Sequence, residues 1–163
     1  MDIAKLDKSS LLSVLEIYKT ARELMRNTGN PDQWKSTYPE REIVEADIEK
    51  GELFGVFSDG ELCAVFAFLH GEDSVYDRIC EGNWTGSAQY RAIHRVASNG
   101  RVKGVLGIIL EYCKGFGTDL KIDTHRDNKI MQHLLSKYGF VKCGKIYLEN
   151  GEERLAYQWV NTN

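Results

Sequence analysis

Apolar positions recur every three or four residues in four segments of the chain, and this spacing predicts four amphipathic helices. The first begins at Ser9 or Ser10, residue types that cap helices, and its apolar stripe continues to Met25. It ends before Gly29, which suits a left-handed cap, and Pro31, which prevents continuation. The other three are predicted from Pro39 to Gly51, from Val105 to Cys113, and from an Asp127 cap to Gly139.

Seven short apolar runs have the length and residue types of β-strands. Asp59-Gly60 and Asn150-Gly151, each lying between two runs, are dipeptides typical of hairpin turns. The run LCAVFAFL is apolar throughout, so we expect its strand to be central and covered on both faces. Residues 70–89 show neither periodicity and are predicted to be irregular. In chain order the runs are IAKL, LFGVF, LCAVFAFL, AIHRVA, LKID, VKCGKIYL and RLAYQWV.

The order of these elements, β-α-α-β-β-β-α-β-α-β-β, predicts a single α/β domain over residues 1–163. Tight turns impose antiparallel pairing, whereas a helix between two strands favours parallel pairing. We therefore expect a mixed sheet that is antiparallel in its first hairpin and parallel where helices intervene.

The composition is that of a globular protein, with 42% hydrophobic and 28% charged residues. The net charge of −3 argues against nucleic acid as the main partner, because such binding requires a basic surface that neutralises phosphates. No apolar run approaches the roughly 18 residues that cross a bilayer, and the N-terminus lacks the apolar core of a signal peptide. We expect a cytoplasmic protein with neither nucleic acid nor a membrane as partner.

The cysteines, Cys63, Cys80, Cys113 and Cys143, lie far apart and form no C-x-x-C pair. This spacing predicts neither a zinc site nor a disulfide framework. Buried thiols in a reducing compartment are the expected state, and no metal is expected.

Residues 101–107, RVKGVLG, follow a predicted strand and place Gly104 and Gly107 at the start of the next predicted helix. Glycine there costs roughly 1 kcal/mol relative to alanine. One explanation is close packing of the helix on the sheet. The other is an anion site, since the N–H groups of a helix start attract anions and Arg101 and Lys103 add positive charge. The sequence is neither the dinucleotide motif G-x-G-x-x-G nor a Walker loop.

This segment and the later DNKIMQHLLSKYGF together resemble the two signature regions of the GNAT superfamily of acetyl-CoA-dependent N-acetyltransferases. The first region, Q/R-x-x-G-x-G/A, matches at Arg101 and Gly104 and departs at Leu106. The order of strands and helices also resembles that of the superfamily, so the resemblance covers almost the whole chain. The second region, an asparagine-led helix ending in Y-x-K-x-G-F, matches at Asn128, Lys137, Gly139 and Phe140.

The resemblance implies a mixed-sheet GNAT fold and transfer of acetyl from acetyl-CoA to an amine by direct attack in a ternary complex. It implies backbone amides that hold the coenzyme A pyrophosphate, and a strand end that binds the pantetheine arm and thioester. It also favours a homodimer. The cofactor-binding residues it implies are Val96, Ala97, Arg101, Val102, Lys103, Gly104, Val105, Leu106, Gly107 and Asn128.

The tyrosine that often protonates the departing thiolate in this superfamily would fall at Leu135, and Tyr138 lies three residues further on. A thiol of pKa about 8.5 is short of protonation at pH 7 by roughly 2 kcal/mol. Freeing an alkyl amine of pKa about 10.4 from its proton at pH 7 costs roughly 4.6 kcal/mol. The acid is therefore more dispensable than the base.

Two arrangements offer a general base. His94 lies in a predicted strand, where it serves either as the base or as a packed, hydrogen-bonded core histidine. Asp123 and His125 alternate onto one face at the end of the next strand, as a carboxylate that orients an imidazole. In the alternative, Asp123 and Asp127 satisfy loop and helix-end amides. We predict His94 as the base.

The acceptor is a small-molecule or peptide amine whose identity the sequence leaves open. The resemblance implies that aromatic residues in the irregular segments wall its pocket, whereas the alternative is that they anchor loops on the core. The departures at Leu106 and Leu135 also leave a second class of protein open, a non-catalytic acyl-CoA-binding or sensing module. The four aromatic residues are Trp34, Tyr38, Tyr76 and Trp84.

Overall fold

The computed structural model describes residues 1–71 and 73–162, and within them it contains seven strands and four α-helices in the predicted order. The strands are β1 (Asp2–Lys5), β2 (Leu53–Ser58), β3 (Glu61–Leu69), β4 (Tyr90–Ser98), β5 (Asp119–Thr124), β6 (Val141–Tyr147) and β7 (Glu153–Trp159). The helices are α1 (Leu11–Asn27), α2 (Arg41–Glu49), α3 (Val105–Lys114) and α4 (Lys129–Lys137).

The strands form one mixed sheet in the order β1-β2-β3-β4-β5-β7-β6, which confirms the predicted α/β class. The pairing of β4 with β5 across α3 is parallel, as predicted, with Tyr90 opposite Asp119. The expectation of parallel pairing wherever helices intervene is wrong at β1, which pairs antiparallel with β2. Two helices, α1 and α2, separate these strands. The second helix returns the chain to the end of the sheet at which β1 finishes, so β2 runs back along β1.

The C-terminal hairpin gives a second departure from the expected pairing. Strand β7 lies between β5 and β6 and is antiparallel to both. The single helix α4 therefore connects β5 to a strand of the same direction that is not its neighbour. The tight turn after β6 places β7 in the position between them.

The chain divides into two compact units. The first consists of Met1–Phe68 and His94–Ile109, and the second of Leu69–Ile93 and Leu110–Asn163. Strand β4 and helix α3 each contribute residues to both units. The two units are described separately below.

In the first unit, β3 is the buried strand that its apolar run predicts. Residues Ala64 to Phe68 have no solvent exposure. The apolar side of α1, with Val14, Ile17 and Tyr18, is buried as well. The β2–β3 turn has φ +50 at Asp59 and +80 at Gly60, the conformation expected for a two-residue hairpin.

In the second unit, an aromatic and aliphatic core is built on β4, β6 and β7 around Tyr76 and Tyr90. The predicted irregular segment is fastened to β6, where Cys80 exchanges two backbone hydrogen bonds of 2.9 Å with Lys145. A Cβ on Gly82 would collide with the carbonyl oxygen of Cys143, so this close approach requires glycine.

The predicted cap of α4 is wrong, and the predicted cap of α1 has the right position but no side-chain bond. Asn128, not Asp127, caps α4, and its side-chain oxygen accepts from the Met131 amide at 3.0 Å. The helix begins one residue later than predicted, so only Asn128 reaches that amide. At α1, Ser10 occupies the cap position without a side-chain cap bond, and Asp7 caps a short 3-10 turn that precedes the helix.

No helix formed by residues 1–71 and 73–162 is long and apolar enough to span a membrane. The thiols are free, with Cys63, Cys113 and Cys143 buried and Cys80 half-buried. Burial raises the pKa of Cys113 to about 12, so its thiol is inert at neutral pH.

Candidate active site

Gly104 and Gly107 lie in different structural settings around the start of α3. Gly104 is exposed, has φ +77, and has open space where a Cβ would lie. Gly107 is buried in the first turn of α3. Gly104 therefore provides a left-handed backbone and clear access at the helix start, whereas Gly107 is a buried residue of the helix itself.

Two features at the start of α3 favour the predicted anion site. The N–H groups of a helix's first turn have no acceptor within the helix, and the helix dipole is positive at this end. Arg101 and Lys103 are exposed just before it. Arg101 lies 3.7 Å from Glu61, and both side chains are more than 70% exposed, so this ion pair is weak. Leu106 is half-buried within the first turn. A leucine at this position still has its backbone N–H, which can bind an anion.

A cleft of about 680 Å³ adjoins this turn within the first unit. Its volume lies within the range of small-molecule sites. Arg101 and Asn99 form one wall, the start of β3 another, and α1 a third. The α1 and β3 residues, which sequence analysis did not assign to a site, are Leu12, Ser13, Glu16, Ile17, Thr20, Glu61 and Leu62.

Strand β4 is irregular at the predicted thioester-binding end. Arg95 has φ +51, which is uncommon for a residue with a Cβ and is typical of a bulge position. It lies between His94 and Val96. His94 is half-buried and its Nε2 atom has no solvent exposure, while Val96 is half-buried and Ala97 is buried.

Arg95 is fixed by a hydrogen-bond network within the first unit. Its guanidinium donates to both carboxylate oxygens of Asp47 at 2.8 Å and to the Tyr38 hydroxyl at 3.3 Å. Its carbonyl oxygen accepts from the Tyr18 hydroxyl at 2.9 Å. Burial lowers the pKa of Arg95, but hydrogen bonding to Asp47 and the electrostatic interactions with Tyr38 and Asp47 outweigh it, so the pKa is raised.

This network is absent from the site residues predicted above, although the sequence contains two signals for it. Asp47 lies one residue before Ile48 and three after Val44, on the apolar side of a predicted helix. Arg95 interrupts the apolar run AIHRVA. A lone acid and a lone base, each at a position predicted to be buried, indicate a buried ion pair, because neither charge is stable there alone.

Trp34 and Tyr38, predicted to wall the amine pocket, are tied to the first unit. The Trp34 ring packs edge-on at 5.7 Å from Tyr18 and 6.0 Å from Tyr38. Arg22 donates to the Tyr38 carbonyl at 3.2 Å. These contacts are those of loop anchors, the alternative named above, and contact with an amine stays a prediction.

In the second unit, the structure brings together Tyr76, Trp84 and Asp123. The Tyr76 hydroxyl donates to Asp123 Oδ2 at 2.8 Å, and Trp84 Nε1 donates to the Tyr76 carbonyl at 2.8 Å. The two rings lie 5.4 Å apart. Burial and the neighbouring Asp123 carboxylate raise the pKa of Tyr76 well above its ordinary value, so Tyr76 is a hydrogen-bond donor at all physiological pH values.

His125 has a partner other than the predicted carboxylate. Its Nδ1 accepts from the Asp127 amide at 3.0 Å, and Asp127 Oδ2 lies 3.6 Å from the same nitrogen. An accepting Nδ1 places the proton of a neutral imidazole on Nε2. The pairing of Asp123 with His125 as a carboxylate and an oriented imidazole stays a prediction.

Lys121 of β5 is a buried cation that sequence analysis did not assign. Its ammonium lies 4.2 Å from the ring centroid of Trp84 and 3.8 Å from that of Tyr90, and the residue is 5% exposed. Burial lowers its pKa, partly offset by Asp77, Cys143 and Asp119. The signal was a lysine in the middle of the short strand LKID.

Leu135 and Tyr138, in the second signature region, differ in their burial. Leu135 is fully buried. Tyr138 is half-buried at the C-terminal end of α4, and its carbonyl accepts from Lys114 Nζ at 2.7 Å. In the described part of the chain, no group of three or more His, Cys, Asp or Glu side chains could hold a metal ion.

Comparison with family descriptions finds no match, and comparison with curated proteins finds none. Solved structures do match. A GNAT-family acetyltransferase from Streptococcus agalactiae is 32% identical, with a TM-score of 0.90 and coverage of 99% of this chain and 96% of that one. A GNAT-family acetyltransferase from Listeria monocytogenes is 14% identical, with a TM-score of 0.73 and coverage of 97% and 93%.

A ribosomal-protein-alanine N-acetyltransferase from Brucella melitensis is 16% identical, with a TM-score of 0.65 and coverage of 98% and 99%. At such identities this protein and the one from Listeria support the fold alone. The streptococcal protein is similar enough in sequence and length to show the family. The chain belongs to the GNAT family of acetyltransferases.

Proposed function

We propose that this protein transfers the acetyl group of acetyl-CoA to an amine by direct attack in a ternary complex. The carrying observation is the β4–α3 turn, where an exposed left-handed Gly104 with open space around it precedes a ten-residue helix. Family membership supports the reaction class, and the geometry of the turn supports the proposal of a pyrophosphate site there. The acceptor is a small-molecule or peptide amine.

In this proposal the first-turn amides of α3 face the pyrophosphate, while Arg101 and Lys103 supply positive charge. The backbone of Val96 and Ala97 binds the pantetheine arm and thioester. Asn128 contributes by starting α4, since its side-chain oxygen holds the Met131 amide. When bound, acetyl-CoA supplies an activated acyl group, and the residues of this chain bind it, orient it and move protons.

His94 is the proposed base that accepts the proton of the incoming ammonium. Removing that proton is the larger demand, and a positioned base contributes roughly 10²–10⁴-fold. His125 is the second candidate, but its Nδ1 already accepts a hydrogen bond from the Asp127 amide. This bond supports His94 as the base, because it occupies the nitrogen of His125 that would accept a proton. The proposal predicts that His94→Gln lowers kcat/KM by about 10²–10⁴-fold in a folded protein. His125→Gln is the matched control, and the reverse order of losses would transfer the role to His125.

The binding half of the proposal is tested by thermal stabilisation. At about one hundred times its dissociation constant, acetyl-CoA should stabilise the wild type by roughly 2.7 kcal/mol. Gly104→Asp places a side chain and a negative charge in the turn, so this stabilisation should disappear. Gly151→Asp is the matched control, since Gly151 has φ +85 and equally open surroundings. Equal stabilisation of the two variants would contradict a pyrophosphate site at this turn.

A thiol-release assay over a broad panel of amines decides between the enzyme and a non-catalytic acyl-CoA-binding module. Steady release of free coenzyme A with at least one amine supports transfer. Tight coenzyme A binding without release across metabolite amines, polyamines, peptide N-termini and lysine would favour the module, for which Leu135 in place of a tyrosine is the supporting feature.

A further inference from the structure

Arg95 holds a backbone conformation that its own side chain disfavours. With φ +51, it lies in the left-handed region, where the Cβ crowds the following carbonyl oxygen. Such a conformation persists only when the surrounding structure determines it several times over. The contacts of Arg95 with its neighbours therefore show what holds it in this conformation.

Three separate segments of the first unit form hydrogen bonds with Arg95. Helix α2 supplies Asp47, whose two oxygens each accept at 2.8 Å, and the loop before α2 supplies the Tyr38 hydroxyl at 3.3 Å. Helix α1 supplies Tyr18, whose hydroxyl donates to the Arg95 carbonyl at 2.9 Å. The Arg95 and Asp47 side chains are 13% and 6% exposed, so water competes little for these bonds.

These hydrogen bonds to Arg95 also affect the two residues that follow it in β4. The φ of Arg95 decides the direction in which the following peptide groups point, and the next two residues are Val96 and Ala97. These are the residues to which the proposed function assigns the pantetheine arm and thioester.

We propose that Arg95, clamped by Asp47, is a positioning residue that holds the left-handed turn of β4 and so orients the backbone of Val96 and Ala97 toward the acyl thioester. This inference rests on the proposed function. Arg95 acts through its neighbours in the chain and touches no substrate. A purely structural role, in which the ion pair only attaches α2 to the sheet, is the competing explanation.

The test compares glycine with alanine at position 95, both in an Asp47→Asn background that removes the unpaired buried carboxylate. Neither variant has a guanidinium, so both lose the attachment of α2. Glycine adopts a left-handed φ without steric cost, whereas alanine does not. The comparison therefore isolates the backbone conformation from the ion pair.

We expect the Arg95→Gly variant to exceed the Arg95→Ala variant in kcat/KM by about tenfold or more, with the Ala variant on the order of 100-fold below the wild type. The difference should appear in the KM for acetyl-CoA and in the dissociation constant for coenzyme A measured by titration calorimetry. Amide hydrogen exchange of Val96 and Ala97 in the ligand-free protein should be faster in the Ala variant than in the Gly variant.

Rescue provides a second test that does not need the Ala variant to fold. Asp47→Asn alone weakens the clamp and should raise the KM for acetyl-CoA, and adding Arg95→Gly should lower that KM again. A structural role predicts that the double variant is worse than the single one. No rescue, or equal coenzyme A affinity and exchange rates in folded Gly and Ala variants, would overturn the inference.

The outcomes also separate this inference from the proposed function. If the wild type does not bind coenzyme A, the proposed function fails and the positioning role fails with it. If the wild type binds coenzyme A but glycine and alanine at position 95 behave alike, only the positioning role fails.

Discussion

Two cations of this sheet, the partly buried Arg95 in the first unit and the buried Lys121 in the second, are stabilised by different means. Arg95 makes a two-pronged ion pair with Asp47, and hydrogen bonding to that carboxylate outweighs burial to raise its pKa. Lys121 lies against the ring faces of Trp84 and Tyr90, and burial lowers its pKa. The Asp47 carboxylate thus outweighs the effect of burial on the pKa of Arg95, whereas Asp77, Cys143 and Asp119 offset it only in part at Lys121.

The largest effect should follow from breaking the ion pair. Asp47→Leu leaves a buried guanidinium without its carboxylate, and we expect a loss of about 3–5 kcal/mol in the free energy of unfolding. Urea unfolding with an unchanged slope measures this loss. On the same helix, Glu45→Ala removes a pair with Arg41 that is 50–58% exposed, and it should cost less than about 1 kcal/mol.

A double variant sharpens the same prediction. Asp47→Leu with Arg95→Met replaces both charges by apolar groups, so it should recover most of the stability that Asp47→Leu loses. A double variant no more stable than the single one would show that the buried charge is not the origin of the loss.

A smaller effect is expected at Lys121, which lies between the rings of Trp84 and Tyr90. Lys121→Met keeps a long side chain between the rings and removes the charge, so the free energy of unfolding should change by no more than about 1 kcal/mol. The loss of ring–cation attraction and the relief of burial oppose each other. A loss as large as that of Asp47→Leu would mean that the rings hold a cation as firmly as the carboxylate does.

The two cations also differ in their dependence on pH. Because the fold lowers the pKa of Lys121, the unfolded chain binds more protons just below the ordinary lysine value of about 10.4. This group therefore adds stability as pH rises through its folded pKa toward that value. Lys121→Met should remove this rise when urea midpoints of the two proteins are compared from pH 7 to 10.

The smallest effect is expected at a third, more exposed cation. Lys114 lies 5.8 Å from the Tyr138 ring and donates to the Tyr138 carbonyl, and Tyr138→Phe keeps both the ring and the carbonyl. We expect stability to change by less than about 0.5 kcal/mol and turnover to fall by less than about tenfold, since a thiolate leaves with modest help. A hundredfold loss of turnover with unchanged coenzyme A affinity would make Tyr138 the acid.

Local patterns in the sequence predict the local structure. The helical stripes, the Asp59-Gly60 turn and the apolar run of β3 each predict an element that the structure contains, because each depends on neighbours within a few residues. The caps were placed less accurately. Aspartate and asparagine are both good caps, so the pattern at residues 127 and 128 does not decide which of the two begins the helix.

The candidate site divides in the same way. Gly104 and its basic neighbours are contiguous, so their place between a strand and a helix follows from the local pattern, and anion binding at this turn stays a prediction. The bond of Tyr76 to Asp123 joins residues 47 apart, and the bonds of Arg95 to Asp47 and Tyr18 span 48 and 77 residues. Each of these side chains has several polar candidates nearby in the sequence, and only the folded chain selects among them.

The sequence by itself determined the order of the elements, the hairpin turns, the buried strand and the glycine turn, because backbone sterics and local periodicity act over short distances. Only the tertiary structure decided that β7 lies between β5 and β6, that Arg95 pairs with Asp47, and that Lys121 lies between two rings. The reason is that a buried polar group must find its partner in space, and packing of distant segments determines which partner lies within reach.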